Sequence, residues 1–326
     1  MRRIAVVVFA VLLALPPMSN VWAQEVWPSR PITLISPYAP GGASDFLART
    51  LAEALKARLG QQVLVQNAPG AGGTVGTLLA AKAKPDGYTL LLNHIGLSTM
   101  PALYKKLAFD PLASFEPIGL FAEGPMVILS RKEFGPKTFA ELVSYAKANK
   151  EKVTFASSGM GSATHLCAML FQEAIGTPVT MVQYKGAAPA MLDIRSGQVD
   201  LLCDLPTTTS SAIRSGELRA FVLTASKRMA SLADVPTADE VGMPGLHMST
   251  WFGLYAPLGT PKPVLERLNK ALREVVADKA VAEQLEKIET VLFPVDKATP
   301  EAHRAMLAAQ IALWGPIIDK AGIQAE

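Results

Sequence analysis

Ser36-Pro37-Tyr38-Ala39-Pro40-Gly41-Gly42-Ala43-Ser44-Asp45 separates a short β-branched run at 31–35 from an amphipathic run at 46–59. The pattern predicts a strand, a turn stripped of bulk, and a helix. Two prolines fix φ, two glycines admit positive φ and close backbone approach, and Ser44 and Asp45 offer capping side chains. A helix starting here presents free N–H groups and its positive dipole end, which attract an anion. Taken alone, the stretch reads equally well as an ordinary strand-to-helix connection. A similar unit follows thirty residues later: a strand at 63–66, then Asn67-Ala68-Pro69-Gly70-Ala71-Gly72-Gly73-Thr74-Val75-Gly76, then a helix at 77–84. Two such turns after successive parallel strands open on one sheet edge, where α/β folds bind ligands.

The same grammar extends along the chain. Lys84-Pro85-Asp86-Gly87 feeds an apolar strand at 88–92, followed by a polar loop at 93–99. Strands are expected at 115–121 and 126–130, with Glu123-Gly124-Pro125 between them. A second series starts at Lys137, where Thr138 and Glu141 form a capping box for a helix to about 149. Strands at 153–155, 179–183, 199–203 and 220–224 are each preceded or followed by Gly-, Ser- or Thr-rich turns. A strand at 249–257 and helices at 261–277, 279–288 and 299–321 complete the chain. This restart predicts an α/β fold of two doubly wound lobes joined by two crossings, near 124–128 and 249–256. The expected division is lobe 1 at 24–125 plus 254–326, and lobe 2 at 126–253.

At 326 residues the chain is long enough for two domains, and half of it is hydrophobic, which excludes a disordered protein. Residues 1–23 read as a secretory signal: Arg2 and Arg3, a twelve-residue apolar core at 4–15, and Val21-Trp22-Ala23 before Gln24. No other stretch is long and apolar enough to span a membrane, so an exported soluble protein is expected. Past residue 23 the chain holds 29 basic and 28 acidic residues with no basic, aromatic-interleaved stripe, which argues against nucleic acid. In an oxidising compartment Cys167 and Cys203 suit one disulfide; two buried free thiols are the alternative. The four histidines, at 94, 165, 247 and 303, show no metal-site spacing, so no metal is expected.

Catalytic templates are not met. Phe155-Ala156-Ser157-Ser158-Gly159 lacks the first glycine of a nucleophile elbow, Ser144 and Lys147 lie mid-helix, and Gly70–Val75 breaks the dinucleotide fingerprint. No enzyme and no cofactor are expected. Gly/Ser/Thr-rich turns from both lobes instead offer N–H groups, hydroxyls and helix N-termini to a carboxylate enclosed by hinge closure. His94 reads as a ligand contact or a turn residue, His165 as a capping or interlobe group, and Lys185 as a turn charge. Asp204 suits an ammonium group, repels a second carboxylate, or caps the next segment.

Eight ordered motifs carry a family resemblance across the region after residue 23. They are Trp27-Pro28-x-x-Pro31-Ile32, Pro40-Gly41-Gly42-x-x-Asp45-x-x-Ala48-Arg49, Gly70-Ala71-Gly72-Gly73-x-x-Gly76 and Pro85-Asp86-Gly87-Tyr88-Thr89-Leu90. The others are Ser158-Gly159-x-Gly161-Ser162-x-x-His165-Leu166, Tyr184-Lys185-Gly186-x-x-Pro189-Ala190, Gly197-x-Val199-Asp200 and Ala256-Pro257-x-Gly259-Thr260-Pro261. They resemble the Bug (TctC-like) solute-binding proteins. The resemblance implies a periplasmic, monomeric, two-lobe Venus flytrap serving the membrane subunits of a tripartite tricarboxylate transporter. It also implies that a solute carboxylate is held at Tyr38, Ala39, Gly41, Gly42, Ser44 and Asp45 and at Ala71, Gly72, Gly73 and Thr74. The rest of the solute would meet His94, Ser158, Gly161, Ser162, Lys185, Gly186, Ala187 and Asp204. Ser36-Pro37-Tyr38 departs from the valine and phenylalanine of many members. A small di- or tricarboxylate, an aromatic acid or an amino acid all fit this reading. A sensory role on a periplasmic sensor domain, or a hydrolase on the same scaffold, are the alternatives.

Overall fold

A computed structural model describes residues 27–150 and 152–325; the expected signal segment at 1–23 lies outside the described residues. The chain runs through β1 (Ile32–Ser36), α1 (Ala43–Leu59), β2 (Val63–Asn67), α2 (Thr74–Ala81), β3 (Thr89–His94), α3 (Gly96–Leu103) and β4 (Phe115–Pro125). It continues with β5 (Val127–Arg131), α4 (Phe139–Ala148), β6 (Thr154–Ser157), α5 (Ala163–Ile175), β7 (Thr180–Gln183), α6 (Ala187–Ser196), β8 (Leu201–Asp204), α7 (Pro206–Arg214) and β9 (Leu218–Leu223). β10 (Ser249–Pro257), α8 (Lys262–Val276), α9 (Lys279–Glu286), β11 (Val291–Leu292) and α10 (Pro300–Ala321) follow.

The strands form two sheets, one per lobe: β11-β4-β10-β3-β1-β2 and β7-β6-β8-β5-β9. In each, three parallel strands in the order second-first-third are flanked by an antiparallel strand, β10 in one and β5 in the other. β1 and β3 are buried almost throughout because helices cover both faces of a parallel sheet. Edge strand β2, by contrast, exposes Leu64 and Gln66. In both lobes the helix starts lie at the carboxyl ends of the parallel strands, so a two-lobe α/β architecture brings these edges face to face.

Two crossings join the lobes. β4 passes into β5 with Met126 alone between them, and the segment after β9 returns to β10. Thr224 ties both together: its hydroxyl accepts from Met126 N–H at 2.8 Å and donates to Met248 O at 2.7 Å. Its N–H donates to Met126 O, and its carbonyl accepts from Met248 N–H.

Four local differences from the sequence reading have physical causes. The loop expected at 93–99 is helical from Gly96, where the Ser98 and Thr99 hydroxyls bond back to the carbonyls of Ile95 and Gly96. The break expected at 123–125 is strand, since Gly124 and Pro125 pair with Thr250 and Ser249. For the same reason the lobe boundary expected at 253/254 falls inside β10, whose residues from Ser249 onward already pair in the first sheet. α7, starting at Pro206, was read as polar turn because Thr207–Ser211 carries no apolar period.

Cys167 on α5 and Cys203 on β8 are fully buried and disulfide-bonded, with a Cα–Cα separation of 6.2 Å. The bridge closes a loop across 36 positions. Replacing both cysteines with alanine is expected to cost roughly 3–4 kcal/mol in the chain-entropy model. The urea unfolding midpoint reads this loss, and an unchanged midpoint would contradict it.

Candidate functional site

The first turn is braced by its own carboxylate. Asp45 Oδ2 accepts from Gly41 N–H at 3.0 Å and from Arg49 Nε at 3.1 Å, and Oδ1 accepts from Asn67 Nδ2 at 3.0 Å. Asn67 also donates to Tyr38 O, so the turn, the first helical turn and the end of β2 form one bonded unit. Bonds from Arg49, Gly41 and Asn67 hold the Asp45 carboxyl below the usual range despite its burial. Gly42 is the N-cap of α1 at φ −89°, and no side chain caps this helix end. Gly41, at φ +84°, needs the left-handed freedom of glycine.

Tyr38 stacks on His94 with centroids 4.5 Å apart and donates its hydroxyl to Gly72 O at 3.2 Å. His94 Nδ1 accepts from Gly96 N–H at 2.9 Å, which leaves the ring proton on Nε2. Burial pushes the His94 pKa down to about 3, so this imidazole is neutral. From lobe 2, Ser162 caps α5 by accepting from His165 N–H. Thr164 Oγ1 accepts from Ser158 N–H at 2.6 Å. α6 begins after Gly186 with no side-chain cap. Asp204 closes β8 just before α7; its carboxylate accepts from Leu205 N–H and from the Thr208 hydroxyl, each at 2.9 Å. Burial nevertheless pushes its pKa up to about 6.

These groups surround one narrow cavity between the lobes. Of the expected site residues, Tyr38, Ala39, Gly42, Ser44, His94, Ser158, Ala187 and Asp204 line it. The first turns of α1, α5 and α6 reach it through Ala43, Ala163 and Ala187, and α7 starts beside it at Leu205. Four helix N-termini therefore converge on it, each with a positive partial charge. Among the described residues, no lysine or arginine lines it.

The remaining expected residues do other work. Asp45 is consumed by the turn as described. Ala71, Gly72, Gly73 and Thr74 lie outside the cavity lining. A side chain on Gly72 would strike Met160 O and the Tyr104 hydroxyl, because this second turn is where lobe 1 touches lobe 2. Gly41 is exposed, with Ala188 opposite it. Gly161 O accepts from Thr99 Oγ1 of lobe 1 at 2.9 Å, and Ser162 serves as the cap. Lys185 is exposed and contributes its carbonyl to Ala39 N–H, while Gly186 backs onto Ala39 with no room for a side chain. Several of these small turn residues, expected from the sequence to be ligand contacts, lie where the lobes meet.

Met126, Thr164, Thr250 and Phe252 line the cavity without having been singled out from sequence. Thr250 and Phe252 alternate on β10, and this period of two was the signal that both face one side. The Thr250 hydroxyl is buried and has no hydrogen-bond partner.

Two variants test this geometry. Asp45→Asn is expected to cost about 1–3 kcal/mol at pH 7. Because folding depresses the Asp45 pKa, the stabilisation is full above about pH 4 and is lost as pH falls through the folded value. Urea midpoints of the two proteins should therefore draw together as the pH is lowered; a gap that does not change with pH contradicts the assignment. Gly72→Ala combines a φ of +60° with the clash against Met160. It should part the lobes, increasing the radius of gyration in small-angle scattering.

A family model described as the tripartite tricarboxylate transporter family receptor matches residues 47–323. A protein of Agrobacterium vitis, described as a UPF0065 protein in the TAR-I ttuE-ttuC' intergenic region, is 44% identical over 300 residues, covering 92% of this chain and 87% of its own. The periplasmic binding protein BugD superposes with a TM-score of 0.89 at 43% identity, covering 92% of this chain and 100% of its own. MatC from Rhodopseudomonas palustris, solved with bound malate, superposes with a TM-score of 0.86 at 33% identity, covering 90% and 100%. The chain belongs to the tripartite tricarboxylate transporter receptor (TctC, or Bug) family of periplasmic solute-binding proteins.

Proposed function

We propose that this protein is exported through residues 1–23, captures a small organic carboxylate between its lobes in the periplasm, and delivers it to the membrane subunits of a tripartite transporter. The observation that carries the capture is the convergence of four helix N-termini on a cavity that no lysine or arginine among the described residues lines. N–H dipoles fixed in a folded backbone hold an anion without the rotamer entropy of a lysine or arginine. Tyr38, Ala39, Gly42 and Ser44 hold the carboxylate against α1, and Ser158, Thr164, Ala187 and Asp204 meet the remainder of the solute. The unpartnered Thr250 hydroxyl supplies one further hydrogen bond from the hinge strand. MatC, an overall structural match, was solved with malate, which supports the solute class. Delivery rests on the family alone.

Gly42→Asp tests the seat. The backbone at Gly42 is extended and suits any residue, and an added Cβ would meet Ala187 and the Ala188 nitrogen at ordinary contact distance. Aspartate there would cap α1, placing its own carboxylate on the N–H groups assigned to the solute. In a thermal-shift screen of carboxylic acids, the wild type should be stabilised by one or a few. The variant should melt no lower without ligand and bind at least a hundredfold more weakly. Unchanged binding would remove the assigned seat. Gene deletion should abolish uptake of the same acid, and intact uptake would exclude delivery.

A further inference from the structure

The cavity is electrically lopsided. Helix starts and neutral donors make up most of its wall, yet one ionisable carboxylate, Asp204, borders it at 3% exposure. A second carboxylate brought close to Asp204 would be repelled across a space little screened by water. We propose that the captured carboxylate also carries a protonated amine, which pairs with Asp204, so that the solute is an amino acid rather than a di- or tricarboxylate. The proposal rests on the carboxylate reading above and assigns the opposite end of the same solute.

Three observations support it. First, Asp204 has acceptor capacity to spare: Leu205 N–H and the Thr208 hydroxyl occupy two of about four lone-pair positions. Second, among the described residues no cation pairs with it. Around β8, Arg131 pairs with Asp200 at the far end of the strand, and on α1 Arg49 pairs with Asp45. His165 on α5 is buried, with burial lowering its pKa to about 4 and Nδ1 accepting from Gly161 N–H. On α6, Asp193 accepts from Tyr184. Across the cavity, Tyr38 and His94 are both uncharged at neutral pH, because burial raises the phenol and lowers the imidazole. Third, the Thr250 hydroxyl is buried and unpaired in the same wall, able to accept from an ammonium. A zwitterion matches the arrangement end for end, with its carboxylate at the helix starts and its ammonium at Asp204. A structural cap would need only the two bonds that Asp204 already makes, and would not require the carboxylate to border the cavity.

Matched solutes make the test. L-aspartate and L-malate differ by ammonium against hydroxyl, and 4-aminobutyrate and glutarate by ammonium against carboxylate. Titration calorimetry at pH 7.5 should show the amino member of at least one pair binding tenfold or more tighter than its partner. Lowering the pH to 5 protonates Asp204, so the preference should narrow. Asp204→Asn keeps the shape, with Oδ1 accepting from Leu205 N–H and the amide donating to the Thr208 hydroxyl; with its unliganded melting temperature checked against wild type, it should lose the preference. Equal or tighter binding of malate and glutarate overturns the amine assignment while leaving the carboxylate seat intact. A preference that survives Asp204→Asn and does not change with pH also overturns it. If none of the four binds, and Gly42→Asp likewise changes nothing in the wider acid screen, the inference falls together with the reading beneath it.

Discussion

The Thr224 hydroxyl receives the N–H of Met126 and gives its proton to Met248 O, so the two chain crossings between the lobes are stitched at one buried point. With Met126 alone separating β4 from β5, the sheets can tilt about that stitch but cannot slide past one another. Each lobe is a parallel sheet whose carboxyl edge carries its helix starts, and the stitch turns those edges toward each other. The crossing strands then serve twice, since Met126, Thr250 and Phe252 line the cavity from the hinge itself. Residues that belong to neither wall alone therefore complete the cavity.

The electrostatic theme of the cavity is positive partial charge gathered without a lysine or arginine among the described residues of its lining. An arginine in this cavity would have to be desolvated, ordered and kept from the nearest acid, and the one acid present is Asp204. Helix N-termini avoid this conflict, because their partial charges are spread over backbone groups already fixed by folding. Asp45 illustrates how the acids are managed: it lies at the first turn of α1, where it would compete with an incoming carboxylate, but Arg49, Asn67 and Gly41 occupy both of its oxygens. The charge that remains free at the cavity is on the opposite lobe.

The architecture was legible because turn chemistry and apolar runs are local. Pro40-Gly41-Gly42 and the later Gly/Ser/Thr turns mark where strands end and helices begin, and their repetition implies two lobes. The site was legible only in part. Tyr38, Gly42, His94 and Asp204 are readable as candidates because each sits at the end of a strand or in the turn after it, at the carboxyl edge of a sheet. Gly72, Gly161 and Gly186 occupy the same kind of position, yet they serve lobe contact, and only the juxtaposition of residues 72 and 160 in space separates the two uses. Thr250 was hidden differently: a threonine in a strand is ordinary, and its significance lies in a hydroxyl left without a partner. α7 was missed because Pro206-Thr207-Thr208-Thr209-Ser210-Ser211 has poor helix formers, held helical by hydroxyls bonding back to the carbonyl of Leu205 and to Asp204.

The bridge from Cys167 to Cys203 has a consequence beyond the stability of a cross-link. It fastens the helix that opens at Ala163 to the strand that ends at Asp204, so two parts of the sorting wall are mounted on one brace. Side chains at those two ends can then be exchanged over generations while the mount stays in register, which suits a family whose members share a frame and differ in cargo. The brace also forms only where thiols oxidise. Where thiols stay reduced, α5 and β8 lose that cross-link.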